Sequence, residues 1–334
     1  MTLSNLPNQY ELTIIFVNYK SSLFLDECLT SLTTQTYKNF QIYIVDNTPG
    51  NLELDNLKNL KKKYTDVLEI KILKPKYNLG FAGGNNYALR RINSQFILLL
   101  NCDTELELDT IEKTMDYLRK NQDVGILCPK ILYYNSNNIL FFGGGKKNPG
   151  TSIFCRAKYN KIIETNYAIG TALFTRIDLI QKVGLLDEIF FMYYEETDWS
   201  FRAKKYGYKT IYFPKTIVYH KADLNYKKNY LHSKKNYFSI YLNIRNSIIF
   251  AIKCFSFFYL VFFISFFLLK TIIQEIFLSI KYRKSQFIRS LLRALRMGFL
   301  LGFRRRTNRN CRKLMRKEIK YLNKFHKISR STQI

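Results

Sequence analysis

The sequence predicts an α/β protein: a doubly wound, mostly parallel sheet followed by a helical, basic C-terminal region. Three observations predict it. The chain opens strand, helix, strand, in apolar runs too short to be buried helices. Those runs end on polar residues, at Asn18, Asp46 and Asn101, as expected where strands deliver side chains to one edge of a parallel sheet. In the last third, Phe, Leu and Ile interrupted by Lys and Arg replace this pattern. The expected division is a sheet domain, 1–235, and a helical region, 236–334.

Leu12–Asn18, rich in β-branched residues, is the first strand. Ser21 or Ser22 caps a helix whose Leu25, Cys28, Leu29 and Leu32 recur at helical spacing. Phe40–Val45 is the second strand, ending on Asp46. A Lys-rich helix over Leu54–Tyr64 leads to a third strand, Leu68–Leu73. Asn78–Leu89, NLGFAGGNNYAL, follows. Its glycines allow positive φ and close backbone approach, and its asparagines supply hydrogen bonds. Such a loop opening a helix suits a phosphate or nucleotide, although a plain strand-to-helix turn has the same composition.

Phe96–Leu100, FILLL, is the strongest strand signal and delivers Asn101-Cys102-Asp103. In extended backbone positions i and i+2 point the same way, so Asn101 and Asp103 would face one site. An oxygen pair there suits a hard divalent cation, Mg²⁺ or Mn²⁺, that keeps waters and phosphate oxygens as further ligands. A helix cap is the plainer role, but Asp109 can already cap the helix carrying Ile111, Met115 and Leu118. Strands and loops fill 121–165, with Ile126–Ile131 as one strand and an exposed turn at Lys146–Thr151. Ala168–Thr175 is a strand, Leu179–Val183 a helix, and Thr210–Tyr219 a strand that ends at His220.

Phe190–Arg202, FFMYYEETDWSFR, places Glu195, Glu196 and Asp198 directly behind an apolar and aromatic run. Carboxylates near low dielectric need a cation, a metal or a proton to move. The plainer explanation is a helix N-terminus, whose dipole favours acids. Residues two apart point to different sides of a helix, so Glu196 and Asp198 cannot both face one ligand from a regular turn, and Asp198 could pair with Arg202 on the surface.

The six cysteines lack any CxxC or metal spacing, which suits reduced thiols. The first apolar run is too short for a signal peptide. Net charge is +28, which raises an anionic membrane or nucleic acid as partners. The excess is concentrated: from Lys281 to Ile334 there are 18 Lys and Arg against one acid, Glu318.

Taken as a set, VNY (17–19), VDN (45–47), NLGFAGGNN (78–86), LLLNCDT (98–104), GTALFTR (170–176) and VGLLDEIFFMYYEETDWSFRAKKYGY (183–208) resemble the family 2 glycosyltransferases. The likeness is greatest to bacterial rhamnosyltransferase-like and galactofuranosyltransferase-like members. It is collinear from about Leu12 to His220. It implies the GT-A fold, a Rossmann-like sheet, and an inverting, metal-dependent hexosyltransferase, with rhamnosyl transfer as one candidate. By the same resemblance Asn18, Asp46, Asn78, Gly80, Gly84 and Asn85 would hold the nucleotide of the sugar donor. Asp103 and Asn101 stand where the family's D-x-D metal motif falls, and His220 where a histidine completes the site. Glu196 aligns with the family's catalytic base, with Glu195 and Asp198 as acceptor-side or supporting acids. Asn101 in place of an aspartate removes one formal charge from the metal site. Glutamate in place of the usual aspartate at 196 needs a slightly deeper site.

Ile248–Ile280 is dense in Phe, Leu and Ile, but its uninterrupted piece, Cys254–Leu269, has 16 residues. About 20 are usual for a bilayer span. Phe287–Phe303 sets Arg289, Arg293 and Arg296 opposite Ile288, Leu291, Leu292 and Leu295, the pattern of an interfacial helix. The expected location is the cytoplasmic face of the plasma membrane, peripheral or with one transmembrane helix. The expected acceptor is a lipid-linked cell-surface glycan, such as an O-antigen or capsule precursor. Packing of these helices on a second copy of the chain would give a homo-oligomer. Two other classes compete. A nucleotidyltransferase shares the sheet, the loop and the metal acid but has no use for the acids near 196. A non-enzymatic membrane or nucleic-acid binder accounts for charge but leaves Asp46, Asp103 and Glu196 unexplained, and nucleic acid is not the expected partner.

Overall fold

A computed structural model describes residues 9–141, 160–221, 236–282, 286–306, 314–315 and 317–323. The expected turn at Lys146–Thr151 lies outside the described residues. The chain divides into two compact units. One holds the sheet. The other holds Glu188–Asp198 and the chain from Asp223 onward.

The sheet unit begins as its apolar runs require. β1 (Leu12–Asn18), α1 (Ser22–Thr33), β2 (Phe40–Asp46), α2 (Leu54–Lys63), β3 (Ile70–Leu73), α3 (Gly80–Leu89) and β4 (Phe96–Leu100) alternate strictly. β1, β2 and β4 are buried almost throughout, as continuous apolar strands covered on both faces must be. β5 (Thr104–Leu106), α4 (Thr110–Lys120), β6 (Val124–Tyr133), β7 (Ile139–Phe141), β8 (Ile163–Thr165), β9 (Ala172–Arg176) and α5 (Ile177–Val183) follow, and after α6 (Glu195–Lys205) the chain enters β10 (Lys209–His220). The order across the sheet is β3-β2-β1-β4-β9-β6-β10-β5, with β7 on β6 and β8 on β10. β3, β2, β1 and β4 are parallel, and so are β6 and β10. β9 runs antiparallel between β4 and β6.

Local chemistry moves several expected boundaries. The third strand starts at Ile70, because Leu68 N–H still donates to Tyr64 O at the end of α2. Ser21 takes the N-cap of α1 but donates its hydroxyl to Tyr19 O, while Asn18 Oδ1 accepts Ser21 N–H at 3.1 Å. Asp109 precedes α4 without a side-chain cap bond, pairing with Lys113 Nζ at 2.5 Å. The Ile111 N–H goes to Gln35 Oε1. Asn101–Asp103 is a turn, not extended strand: Thr104 Oγ1 donates back to Asn101 O at 2.8 Å, and the chain reverses into β5.

In the second unit the apolar stretch expected over Ile248–Ile280 is two things. Its first part belongs to α7 (Asn236–Cys254), where Ile248, Ile249, Ala251 and Ile252 are buried. The chain breaks at Phe255-Ser256. It then runs through α8 (Phe257–Phe262), a π-helical segment (Phe263–Leu268) and α9 (Leu269–Tyr282). Here large apolar side chains face outward, with Phe257 69% exposed and Phe258 84%. Among the described residues, the 18-residue stretch Phe257–Gln274 is the one helical stretch long and apolar enough to cross a membrane.

α10 (Gln286–Arg306) corrects the expected amphipathic face. Leu291, Ala294, Met297 and Leu301 are buried, whereas Leu292 is 61% exposed and Ile288 also faces out. The reason is a stripe of small residues. A Cβ on Gly298 would lie 3.0 Å from Arg245 O and Ile248 Cβ, and one on Gly302 would lie 2.9 Å from Ile252 Cδ1. α10 therefore packs backbone-close on α7 along Ala294, Gly298 and Gly302.

Candidate active site

In the sheet unit, the expected residues gather at the carboxyl edge. Asn18 and Asp46 are register partners at the ends of β1 and β2. The turn after β4 carries Asn101 and Asp103, and β10 ends on His220, opposite Thr104. His220 Nε2 and Asp103 Oδ1 are 3.1 Å apart. His220 Nδ1 is buried and without a hydrogen-bond partner among the described residues. The Asp103 side chain is 35% exposed. Lys221, the next residue, is held by Glu27 and by Glu105 Oε1 at 2.7 Å.

The glycine-rich segment differs from its expected form. Most of it is helix, and only Gly80 has positive φ, at 72°. Gly84 serves close approach instead: a Cβ there would sit 2.7 Å from Val17 Cγ1 and 3.2 Å from Asn47 Nδ2. The polar side chains frame the turn. Asn78 Oδ1 accepts Gly80 N–H, Asn85 Nδ2 donates to Phe81 O, and Asn86 exchanges two bonds with the Leu186 backbone. Asn47, given no role in the sequence, pins the turn by accepting Leu79 N–H at 2.9 Å and donating to Gly80 O at 2.8 Å. Asp46 is fully buried, its Oδ1 accepting Thr48 N–H and its Oδ2 2.5 Å from Lys74 Nζ. A buried carboxylate needs such a cation. Asn18 Nδ2 lies 3.5 Å from Glu53 Oε2, which also accepts Ser22 N–H.

In the second unit, the acid segment starts from backbone that resists folding. Phe191, Tyr193 and Tyr194 have φ of 67°, 71° and 75°. Left-handed backbone at bulky residues costs about 1–3 kcal/mol each, and persists only where its surroundings over-determine it. Behind it Glu195 and Glu196 enter the first turn of α6. The three carboxylates differ in setting. Glu195 is 3% exposed and its Oε2 has no partner among the described residues. Burial, reinforced by the charges of Glu196 and Asp198, pushes its carboxyl well above the ordinary carboxylate range. Glu196 is half-buried. Asp198 is fully buried, not a surface group, and pairs with Lys253 Nζ at 2.5 Å.

Residues 13–179, half of the chain, match the model of the family described as "Glycosyl transferase family 2". The chain belongs to glycosyl transferase family 2. One relative is the low-salt glycan biosynthesis hexosyltransferase Agl10 of Haloferax volcanii, 26% identical over 58% of this chain and 62% of its own length. The chain thus spans under two thirds of that relative. Another is the N-acetylglucosaminyl-diphospho-decaprenol L-rhamnosyltransferase of Mycobacterium tuberculosis, 22% identical over 63% of this chain and 76% of the relative. The mannosyltransferase PcManGT from Pyrobaculum calidifontis, solved in complex with GDP-Man and Mn²⁺, superposes with a TM-score of 0.54 at 14% identity. It covers 71% of this chain and 62% of its own. That likeness bears on fold, and the fold is GT-A, as the sequence motifs imply.

For this family 2 chain, sequence reasoning missed two sets of residues. Asn47 lay inside a quoted motif, but nothing in an isolated asparagine tells which loop it pins. Arg245 and Asn246 lay in the second unit, and they had a legible signal: an Arg-Asn pair between Ile244 and the apolar run that starts at Ile248. Arg245 is fully buried, and a buried guanidinium must have a task. Among the described residues no three His, Cys, Asp or Glu side chains cluster as a metal cage, and Asp103 and His220 stand as a pair.

Proposed function

We propose that this family 2 protein transfers a sugar, with inversion, from a nucleotide-sugar donor to a hydroxyl of a lipid-linked glycan acceptor, of the kind used for O-antigen or capsule. The observation that carries this is the pairing of Asp103 with His220 at the carboxyl edge of the sheet, in a chain where Gly84 lets α3 lie close against Val17 and Asn47 at the ends of β1 and β2. The names of the relatives support the substrate classes: one is a hexosyltransferase of glycan biosynthesis, and the other acts on a sugar-diphospho-lipid.

Residues 1–235 would be the catalytic domain. Asn18, Asp46, Asn78, Gly80, Gly84 and Asn85 would form and frame the nucleotide site, Asp46 with its charge already balanced by Lys74. Asp103 and His220, with Asn101 beside them, fit a divalent cation, Mg²⁺ or Mn²⁺. Such ions take few protein ligands and keep positions for waters and phosphate oxygens, and the orphaned, buried Nδ1 leaves the imidazole a second nitrogen to use. When bound, the ion supplies electrostatic stabilisation of the departing diphosphate. The chain's own proton chemistry falls to Glu196. The acceptor oxygen forms its bond to the anomeric carbon while its proton passes to the Glu196 carboxylate. The bond from that carbon to the diphosphate breaks, and its electron pair leaves with the nucleoside diphosphate.

The test is a thermal-unfolding screen of UDP-, GDP- and dTDP-sugars with and without Mn²⁺. One nucleotide series should raise the midpoint, and only in the presence of metal. Absence of stabilisation by every donor would sink the assignment.

Residues 236–334 would hold the enzyme at the cytoplasmic face of the plasma membrane. The outward side chains of Phe257, Phe258, Phe266 and Phe277 supply apolar area, and each nearby Lys or Arg adds about 1 kcal/mol at an anionic surface. The full chain should float with vesicles containing anionic phosphatidylglycerol. Persistence of binding in 1 M salt, chosen to screen charge over about 3 Å, would point to a spanning Phe257–Gln274 helix. Recovery in the unbound fraction at every salt would remove the membrane from the proposal.

A further inference from the structure

We infer that Arg245 and Asn246, braced by Glu318, form a bracket that fixes the loop ahead of α6 and thereby aims its first-turn acids. It rests on the role for Glu196 proposed above. All of its members lie in the second unit.

Asn246 Nδ2 donates to Phe190 O at 3.0 Å, Met192 O at 2.8 Å and Tyr193 O at 2.7 Å. An amide has only two N–H groups, so three carbonyls converge on them. Its orientation is set by chemistry: Oδ1 accepts from Arg245 Nε at 2.9 Å, and arginine can only donate. Arg245 Nη2 adds bonds to Ile189 O and Phe190 O, at 3.1 and 2.6 Å. Two adjacent side chains thus hold the carbonyls of four residues between 189 and 193. These are the residues next to the left-handed backbone at Phe191, Tyr193 and Tyr194. Carbonyls drawn toward one point are what keep such backbone from relaxing.

The charge of the bracket is balanced by the tail. Glu318, the one acid among the 18 basic residues from Lys281 to Ile334, is 1% exposed. Its oxygens accept from Arg245 Nη1 at 3.4 Å, from Arg293 Nη2 at 3.1 Å and from the Tyr241 hydroxyl. A buried ion pair is poor evidence of stabilisation, since apolar side chains of equal volume would hold the helices as well. Polar groups at this place are accounted for by what they grip. Arg245 and Asn246 are therefore positioning residues, and the basic tail contributes to the active enzyme through Glu318 as well as through any surface it binds.

The test uses the full chain with Asn246→Ala and Glu318→Gln. Expected is a fall in kcat of about 10- to 100-fold, the scale of a misplacement near 1 Å. KM for the donor should stay close to wild type, and the thermal midpoint should fall while the protein stays folded at the assay temperature, because both changes leave buried polar groups unpaired. Amide exchange over 189–198 should accelerate while β1 and β4 keep their protection. Asn246→Ser, whose hydroxyl can still serve one carbonyl, should be intermediate, and it replaces Asn246→Ala if that variant does not fold. Unchanged exchange over 189–198 overturns the bracket. Faster exchange with full kcat overturns its part in catalysis, and so does a fall in kcat no larger than the unfolded fraction at the assay temperature. If the wild type transfers no sugar from any donor, the role of Glu196 fails, and the exchange measurement alone decides whether the bracket holds the loop.

Discussion

Replacing Glu196 with glutamine leaves donor binding intact and cuts turnover by about 10²–10⁴-fold, the contribution of a positioned general base. Glutamine keeps the size and the hydrogen-bonding reach of the side chain and loses only the capacity to accept a proton. The setting of the three acids supports the choice. Asp198 is buried against Lys253, which holds its charge in place. Glu195 is buried, and burial keeps its proton on to higher pH than an ordinary carboxyl. A carboxyl that stays protonated can donate a hydrogen bond but cannot take the acceptor's proton. Glu196, half-buried, is the acid left to do so. Single-turnover transfer and calorimetric donor binding, measured on the same preparation, separate the two effects. Turnover near wild type would remove Glu196 from the mechanism.

The sheet was legible because apolar continuity is a local property. FILLL at Phe96–Leu100 and LTIIFVN at Leu12–Asn18 read as buried strands without reference to the rest of the chain, and they are. Residues at strand ends were legible for the same reason: once the order of strands is known, Asn18, Asp46 and His220 must arrive at an edge. What each side chain touches there was not legible. Lys74 lies 28 residues from Asp46, and Asn47 reaches a loop more than 30 residues on. Sequence periodicity carries no information about such pairings. The turn at Asn101–Asp103 illustrates the limit. Extended geometry was the natural extrapolation from β4, but Thr104 folds the chain back on Asn101 O, and β10 supplies the partner strand for β5. The tail shows the opposite failure. Arg289, Arg293 and Arg296 set the expected polar face of α10, whereas small size at Ala294, Gly298 and Gly302 determined which face was buried. Hydrophobicity ranks side chains, and close helix packing selects the small ones.

Asp103→Ala should abolish the metal dependence of nucleoside-diphosphate binding. With Mn²⁺ present the affinity should fall tenfold or more, which is about 1.4 kcal/mol at each factor of ten. Without metal it should equal that of the wild type, because the residues proposed to frame the nucleotide, Asn18, Asp46 and Asn78 among them, are untouched. Asp103 is partly exposed, so its loss leaves no large cavity and folding should survive. The removal also takes from His220 the carboxylate 3.1 Å away, which makes the pair separable by a double-mutant cycle. If both residues hold one ion, His220→Ala in the Asp103→Ala background costs nothing further in metal-linked affinity. If only Asp103 holds it, His220→Ala alone keeps the metal-linked affinity. Calorimetric titration of the nucleotide at fixed metal reads both. Full metal-linked affinity in Asp103→Ala would exclude the carboxylate as a ligand, and full metal-linked affinity in His220→Ala would reduce the pair from a shared site to a structural hydrogen bond that happens to end β10.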